Sequence, residues 1–338
     1  MSCLSMRNSS VFLLFLILTL SVIPINGQQY SHSPVFDGEM AYNFLLEQCE
    51  FGPRPPGSNN LSDCRKFIID TLTSFNWTVS IQNFTYLDTA CSNIVAVWST
   101  TSDAPLLLGA HYDTRPRATS DAPINQSKPI LGANDGASGT AVLLELSRIL
   151  PQSIRSKVEL VFFDAEDSGG INGWDWIQGS TYYVSELSSS RRASINAMIL
   201  VDLVGDASLQ LPREASSTDS LQNDVWHIAE KLGYTETFLD RTGSSILDDH
   251  RPFLDAGIPA LDLIQIPFPW YWHTLEDTPD KCSGESLKIV GDVLEVFVVE
   301  YDAETQVYTL DQPFLFYGLM MVIPVLTVAL LVYRRKKL

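Results

Sequence analysis

Residues 158–167, VELVFFDAED, decide the fold. The first six are apolar apart from one glutamate, which predicts a buried strand over 158–163. The last four contain three acids, and adjacent acids repel one another unless a cation or a proton lies between them. The stretch therefore predicts a strand that delivers Glu166 and Asp167 to a metal-binding edge of a sheet.

Apolar strands and amphipathic helices alternate on both sides of this stretch. Buried strands separated by helices are typical of an α/β protein. We therefore expect one three-layer α/β/α sandwich with a mixed, mostly parallel central sheet over residues 28–305, a length that suits a single core. The predicted strands are 79–86, 93–98, 106–110, 158–163, 198–203 and 260–264, and the predicted helices are 39–49, 62–75 with Ser62 as N-cap, 136–150, 177–187, 221–232 and 283–301.

Candidate metal ligands follow several of these apolar runs. In α/β sheets the site lies beyond the carboxyl ends of the strands, so side chains that follow different strands meet there. Two imidazoles and three carboxylates suit one or two zinc ions. The candidate ligands are His111, Asp135, Asp167, Asp202 and His273. Glu166, beside one of them, remains free to act as a general base.

Two of the smaller patterns have alternative interpretations. Asp113, two residues after His111, either accepts a hydrogen bond from the second ring nitrogen of that imidazole or forms an ordinary surface pair with it. Asp135 lies in GANDGASG, residues 132–139, where it either binds a metal or caps the helix that follows.

These motifs resemble those of the M28 zinc metallopeptidase superfamily. The resemblance is carried by AHYD (110–113), GAND (132–135), AED (165–167), Asp202 and WHT (272–274), and it extends over about residues 37–302. It implies a phosphorylase/hydrolase-like fold, with Glu166 as general base. It also implies one zinc on His111 and Asp202, a second on Asp167 and His273, and Asp135 as the bridge. The family commonly has Glu-Glu where this chain has Glu166-Asp167.

Two branches of the superfamily act on peptide N-termini, and both remain open. We place the aminopeptidases first, because all five two-zinc ligands and the loop 132–139 are present. The alternative is a glutaminyl-peptide cyclotransferase, which residues 246–254 and 267–274 resemble. That branch implies a single zinc on Asp135, Asp167 and His273, with Asp248 beside Glu166 and Asp202. It also implies a side-chain pocket walled by Trp272, Phe268 and Trp174. A metal-free, receptor-like ectodomain is a third and remote interpretation.

The two ends of the chain predict export and membrane anchoring. Residues 1–27 are typical of a signal peptide, with an uncleaved anchor helix as the alternative. Residues 306–313 would form a stalk, and residues 314–333 contain no charge and are long enough to cross a bilayer. The basic tail 334–338 should stay cytoplasmic. We therefore expect a single-pass protein with its catalytic domain at the cell surface.

Charge, sequons and cysteines agree with an exported domain. The net charge of −18 offers no basic surface for nucleic acid. The cysteines that follow the signal leave room for one or two disulfides. Glycosylation sequons begin at Asn60, Asn76, Asn83 and Asn125, and these cysteines are Cys49, Cys64, Cys91 and Cys282.

Overall fold

A six-stranded mixed sheet runs through the domain, in a computed structural model that describes residues 32–99, 104–301 and 308. Four neighbouring strands are parallel, and two antiparallel strands extend one edge. The prediction of a mostly parallel central sheet is confirmed. In spatial order the strands are Thr78–Tyr86 (β1), Thr89–Val97 (β2), Val158–Phe163 (β4), Leu106–His111 (β3), Ala197–Val201 (β5) and Ala260–Leu263 (β8). A separate parallel pair consists of Leu211–Arg213 (β6) and Phe238–Thr242 (β7).

Nine α-helices connect these strands within the described part of the chain. Most follow a strand, as the alternating sequence pattern predicts. They are Gly38–Glu50 (α1), Asn59–Ser74 (α2), Ala137–Ile149 (α3), Gln152–Arg155 (α4), Gln178–Ser185 (α5), Ser189–Ser194 (α6), Asp219–Leu232 (α7), Arg251–Asp255 (α8) and Gly284–Glu300 (α9).

Both faces of the sheet are covered, because successive side chains of a strand point to opposite sides. On one face Leu107 and Met198 join a core cluster with Phe253 of α8 and with residues of α5. On the other face, Ala110 approaches Gly139 of α3, which also lies against the backbone of β5. Every residue of β3, β4, β5 and β8 is buried, as expected for strands covered by helices on both sides.

The start of α2 differs from the prediction. Ser58, not Ser62, is the N-cap, and its side chain accepts a hydrogen bond from the amide of Leu61 at 3.1 Å. Ser58 has extended backbone angles and directly follows the turn at Gly57, so the helix can begin one residue later. The short elements α4, α6, α8, β6 and β7 were not predicted.

The predicted signal peptide 1–27, membrane span 314–333 and tail 334–338 lie outside the described residues. Among the residues that are described, no helix has the length and apolarity needed to cross a bilayer. Only Tyr308 of the predicted stalk 306–313 is described. Its side chain is buried, and its hydroxyl donates to Asp224 at 2.8 Å.

The expected disulfides are absent among the described cysteines, where all four thiols are free. Each lies in a different part of the fold, and three of them are buried. Burial raises the pKa of Cys49 and of Cys64 to about 11, because the thiolate would lose its hydration. The four thiols are those of Cys49, Cys64, Cys91 and Cys282.

Candidate metal centre

The ends of three parallel strands bring the predicted ligands to one edge of the sheet. His111 is the last residue of β3, Asp202 directly follows β5, and Asp167 lies in the loop after β4. Asp135 comes just before α3, and His273 comes from the loop after β8. The structure brings all five together in two groups that share Asp135.

Each group combines one imidazole with two carboxylates. In the first triad, His111 Nε2 lies 3.1 Å from Asp202 Oδ1 and 3.4 Å from Asp135 Oδ1. In the second triad, His273 Nε2 lies 3.2 Å from Asp167 Oδ1 and 3.4 Å from Asp135 Oδ2. Asp135 therefore turns a different carboxylate oxygen to each triad.

These spacings fit zinc. Tetrahedral zinc with bonds of roughly 2.0–2.1 Å places neighbouring ligand atoms about 3.3 Å apart. Asp135 Oδ2 and Asp167 Oδ2 are buried and have no hydrogen-bond partner among the described residues. A buried carboxylate oxygen normally has a partner, and a cation would supply one here. Imidazole nitrogen and carboxylate oxygen are both common zinc ligands.

Asp113 lies beside His111 and binds the turn that carries Glu166 and Asp167. Its Oδ1 lies 3.7 Å from His111 Nδ1, on the side of the ring that faces away from the triad. Its carboxylate also accepts the backbone amides of Glu166 at 3.0 Å and Asp167 at 3.2 Å. Asp113 thus lies beside His111, but too far away for the predicted hydrogen bond, and its own bonds hold the turn that carries Glu166.

Asp277 holds the segment that carries Asp135, as Asp113 holds the turn that carries Glu166. It was not among the predicted site residues. Its carboxylate accepts the amides of Asn134 at 2.8 Å and Asp135 at 3.1 Å. It lies only four residues after His273 and directly after Glu276. This pair of acids close to a predicted ligand was the available signal in the sequence. Asp135 itself does not cap α3, because Gly136 is the N-cap and no side chain caps that end.

Burial changes the acidity of the central carboxyl groups. It raises the pKa of Asp135 to about 6 and that of Asp167 to about 7. Burial, together with the nearby charge of Asp248, raises the pKa of Glu166 well above its ordinary value. Desolvation favours the neutral form of an acid, whereas a bound divalent cation favours the ionised form.

A pocket of about 270 Å³ opens beside the two triads. Asp248 and Glu166 line it together with four of the five candidate ligands. Apart from Ser245 its other walls are apolar, so it suits a small side chain held against a polar end. The apolar walls include Trp176, Leu203, Ile246, Ile264, Phe268 and Trp272.

Two of the three predicted pocket aromatics lie at the pocket, and the third does not. Phe268 stacks on Trp272 with ring centroids 4.5 Å apart, and Trp272 stacks on His273 at 3.4 Å. The prediction for Trp174 is wrong. Its indole packs edge-on against Tyr86, 5.2 Å away, and lines a different cleft.

Trp176 occupies the wall position that was expected for Trp174. Its ring lies nearly parallel to His273, with centroids 6.0 Å apart and an interplanar angle of 10°. It lies so close to Gly169 that a Cβ there would be 2.1 Å from the indole. A glycine two residues after Asp167 was the one sequence signal for a ring packed at this turn.

Glu214 fixes the loop that carries Ile246 and Asp248. Its carboxylate accepts the amide of Ile246 at 2.8 Å and the amide of Ser217 at 2.7 Å. Burial alone would raise the pKa of Glu214, but the adjacent His250 and these amides outweigh it and lower that pKa to about 2. His250 Nε2 lies 3.5 Å from the carboxylate of Glu214, and burial lowers the pKa of this histidine, which favours its neutral form.

Comparison with known sequences agrees with these motifs. A profile described as Peptidase family M28 matches residues 93–298. The chain is 27% identical to a glutaminyl-peptide cyclotransferase of Bos taurus over 287 residues, covering 73% of this chain and 78% of that protein. It is 34% identical over 205 residues to aminopeptidase YwaD of Bacillus subtilis (strain 168), covering 56% of this chain and 40% of that longer protein.

Solved structures of similar fold also divide between the two activities. A glutaminyl cyclase of Bacteroides thetaiotaomicron bound to N-acetylhistamine has a TM-score of 0.74 at 31% identity, covering 80% of this chain and 100% of that one. A Zn-dependent exopeptidase of Parabacteroides distasonis has a TM-score of 0.73 at 27% identity, with the same two coverages.

Proposed function

Because the chain belongs to peptidase family M28, we propose that it is a zinc-dependent enzyme acting on the N-terminal residue of peptides or proteins. One observation carries the proposal: two triads share Asp135 at the polar end of an open, largely apolar pocket. Relatives of both activities support an enzyme of either type. Two reactions fit this site, and each has an observation in its favour.

Hydrolysis of the first peptide bond is our first candidate reaction. In its favour, Asp135 turns one oxygen to each triad, which suits two zinc ions. His111, Asp135 and Asp202 would hold one ion, and Asp135, Asp167 and His273 the other. Zinc supplies polarisation of the reacting carbonyl and a lower pKa for water.

In this reaction Glu166 takes a proton from the attacking water. The water oxygen adds to the first peptide carbonyl, the carbon–nitrogen bond breaks, and Glu166 returns the proton to the departing amine. The apolar walls around Phe268 and Trp272 would bind the side chain of the first residue.

Cyclisation of N-terminal glutamine is the second candidate, and the composition of the pocket favours it. A small apolar pocket with Asp248 next to Glu166 suits a glutamine side chain bound with its amide toward the second triad. Glu166 would take a proton from the α-amine, whose nitrogen attacks the γ-carbonyl carbon. The bond to the amide nitrogen then breaks, and Glu166 protonates the departing ammonia.

A single experiment separates the two reactions. The number of zinc ions per chain is measured on the purified protein. A peptide that begins with glutamine is then incubated with the protein, and the mass of the product is determined. Two zinc ions and a product shorter by one residue are expected for the aminopeptidase. One zinc and a product lighter by one ammonia would instead establish the cyclotransferase. No zinc and no product would contradict both and favour the receptor-like interpretation.

We also propose that the enzyme is anchored at the cell surface. The uncharged run 314–333, followed by a basic tail, supports a single span with the catalytic domain outside, and residues 1–27 suit its export signal. The exposed sequon residues Asn76 and Asn83 support glycosylation there. Protease treatment of intact cells should remove the domain, and protection of the domain would contradict this topology.

A further inference from the structure

Arg115 is a buried cation that the reactions above do not use. It lies in the loop after β3, and only 5% of its surface is exposed. A buried arginine normally needs partners for its donors. Its guanidinium contacts Asp167, Gly169 and Trp176 in the segment that follows β4, and Thr119 in its own loop.

The guanidinium holds the turn that carries Asp167. Nη1 donates to Asp167 Oδ1 at 3.0 Å and to the carbonyl oxygen of the same residue at 3.3 Å. Nη2 donates to the carbonyl oxygen of Gly169 at 3.2 Å, and Nε donates to Thr119 at 2.8 Å. The carboxylate and the backbone beneath it are therefore fixed by one rigid group.

The same guanidinium also supports the imidazole of the second triad through an indole. Its central carbon lies 4.6 Å from the ring centre of Trp176, a cation–π contact. Trp176 in turn stacks on His273. Arg115 thus contacts Asp167 directly and reaches His273 through Trp176, on the imidazole that also stacks on Trp272.

The orientation matters because residue 167 is an aspartate. Its arm is one methylene shorter than that of glutamate, so its carboxylate can reach the shared centre only if the backbone is held close. The bonds from Arg115 to the carbonyl oxygens of Asp167 and Gly169 hold it there.

We propose that Arg115 is the positioning residue that lets Asp167 serve as a ligand of the second triad. It fixes the carboxylate of Asp167 directly and the ring plane of His273 through Trp176. The inference rests on the proposed zinc dependence. Outer groups that orient ligands commonly contribute roughly 10- to 100-fold to metal affinity.

The test measures zinc affinity by competition with a chelator. Arg115→Met should weaken zinc binding by roughly 10- to 100-fold. Arg115→Lys should recover little of the loss, because an ammonium keeps the charge but lacks the planar fork. Arg117→Met is the matched control, since this exposed arginine two residues away contacts Asn172 instead, and it should bind zinc like the wild type.

A double-mutant comparison separates positioning from a general loss of structure. Asp167→Glu should weaken zinc binding less in the Arg115→Met protein than in the wild type, because the longer arm has room once the clamp is gone. An equal loss in both backgrounds, or unchanged affinity in Arg115→Met, overturns the inference while the proposed function stands. If Arg115→Met does not fold, the comparison is made in Arg115→Lys. Wild-type protein without zinc would contradict the proposed function instead.

Discussion

At the residue scale, the candidate metal centre contains backbone conformations that non-glycine residues seldom adopt. Ala165 has φ of 62°, Leu203 of 49° and His273 of 58°, all in the left-handed region. Such a conformation costs a non-glycine residue roughly 1–3 kcal/mol and persists only where the surroundings enforce it. Each one is a ligand or the direct neighbour of a ligand or of Glu166. The turns that aim these groups are therefore held by the fold around them.

Glu166 carries the proton in either reaction, so its removal gives the sharpest residue-scale prediction. The Glu166→Gln protein should keep its zinc, because neither triad includes Glu166. Turnover should fall by roughly 10²- to 10⁴-fold, the usual contribution of a general acid–base group. Zinc content and turnover are measured side by side. The exposed Glu236→Gln serves as control, and a fully active Glu166→Gln protein would refute the role of the carboxylate.

The candidate ligands and Asp113 were predictable at this scale, whereas Asp277, Trp176 and Arg115 were not. His111 and Asp202 each end or follow an apolar run, and parallel strands bring such positions together at one edge. Trp176 and Asp277 lie in loops, whose path depends on contacts that the sequence does not reveal locally. The error at Trp174 has the same cause, because two tryptophans two residues apart look alike until the turn at Gly169 is known.

At the element scale, long buried elements were predictable and short, largely exposed ones were not. The strand 158–163 has the predicted bounds, because six consecutive apolar or covered positions leave little ambiguity. The elements Gln152–Arg155 and Ser189–Ser194 are too short to show helical periodicity. The strands β6 and β7 lie outside the main sheet, and they are too short to show a clear alternation of apolar and polar residues.

The contact between α3 and β5 yields a prediction about the placement of Asp135. A Cβ on Gly139 would lie 1.9 Å from the carbonyl oxygen of Val201. Alanine in a helix is otherwise favoured over glycine by about 1 kcal/mol. Gly139→Ala should nevertheless lower the free energy of unfolding by about 1–3 kcal/mol, because the helix must move away from the strand. Urea unfolding in the presence of a chelator measures this change.

The same shift should weaken zinc binding, since Asp135 lies just before α3 and Asp202 directly follows β5. Thr73→Ala, at an exposed position of α2, is the control and should change the unfolding free energy by less than about 0.5 kcal/mol. A stabilised Gly139→Ala protein would mean that the helix yields without cost and that this contact does not set the distance between the two ligands.

At the scale of the whole molecule, the buried acids make metal binding and folding interdependent. The pKa of Asp135 is raised to about 6 and that of Asp167 to about 7, both by burial, from an ordinary value of 3.8. A raised folded-state pKa stabilises the zinc-free fold below about pH 4, and this contribution is lost as the pH rises through 6 to 7. Bound zinc would stabilise the ionised carboxylates and so offset the stability that is lost when their protons leave.

Removal of the metal should therefore destabilise the protein more at pH 8 than at pH 5. With free zinc at a thousand times its dissociation constant, the stabilisation amounts to about 4 kcal/mol. Thermal midpoints with zinc and with a chelator are compared from pH 5 to pH 8, and the gap should widen as the pH rises. A gap that stays constant would contradict the coupling, and His273→Ala should show a smaller gap throughout.

The four free thiols provide a way to measure local opening of the native structure. They lie in α1, in α2, in β2 and just before α9, and burial raises the pKa of the thiol in each case. A thiol that is covered and protonated reacts with a disulfide reagent only when its surroundings come apart. The rates at which the buried thiols of Cys64, Cys91 and Cys282 are modified thus report how often those parts of the native protein open, without an engineered cysteine.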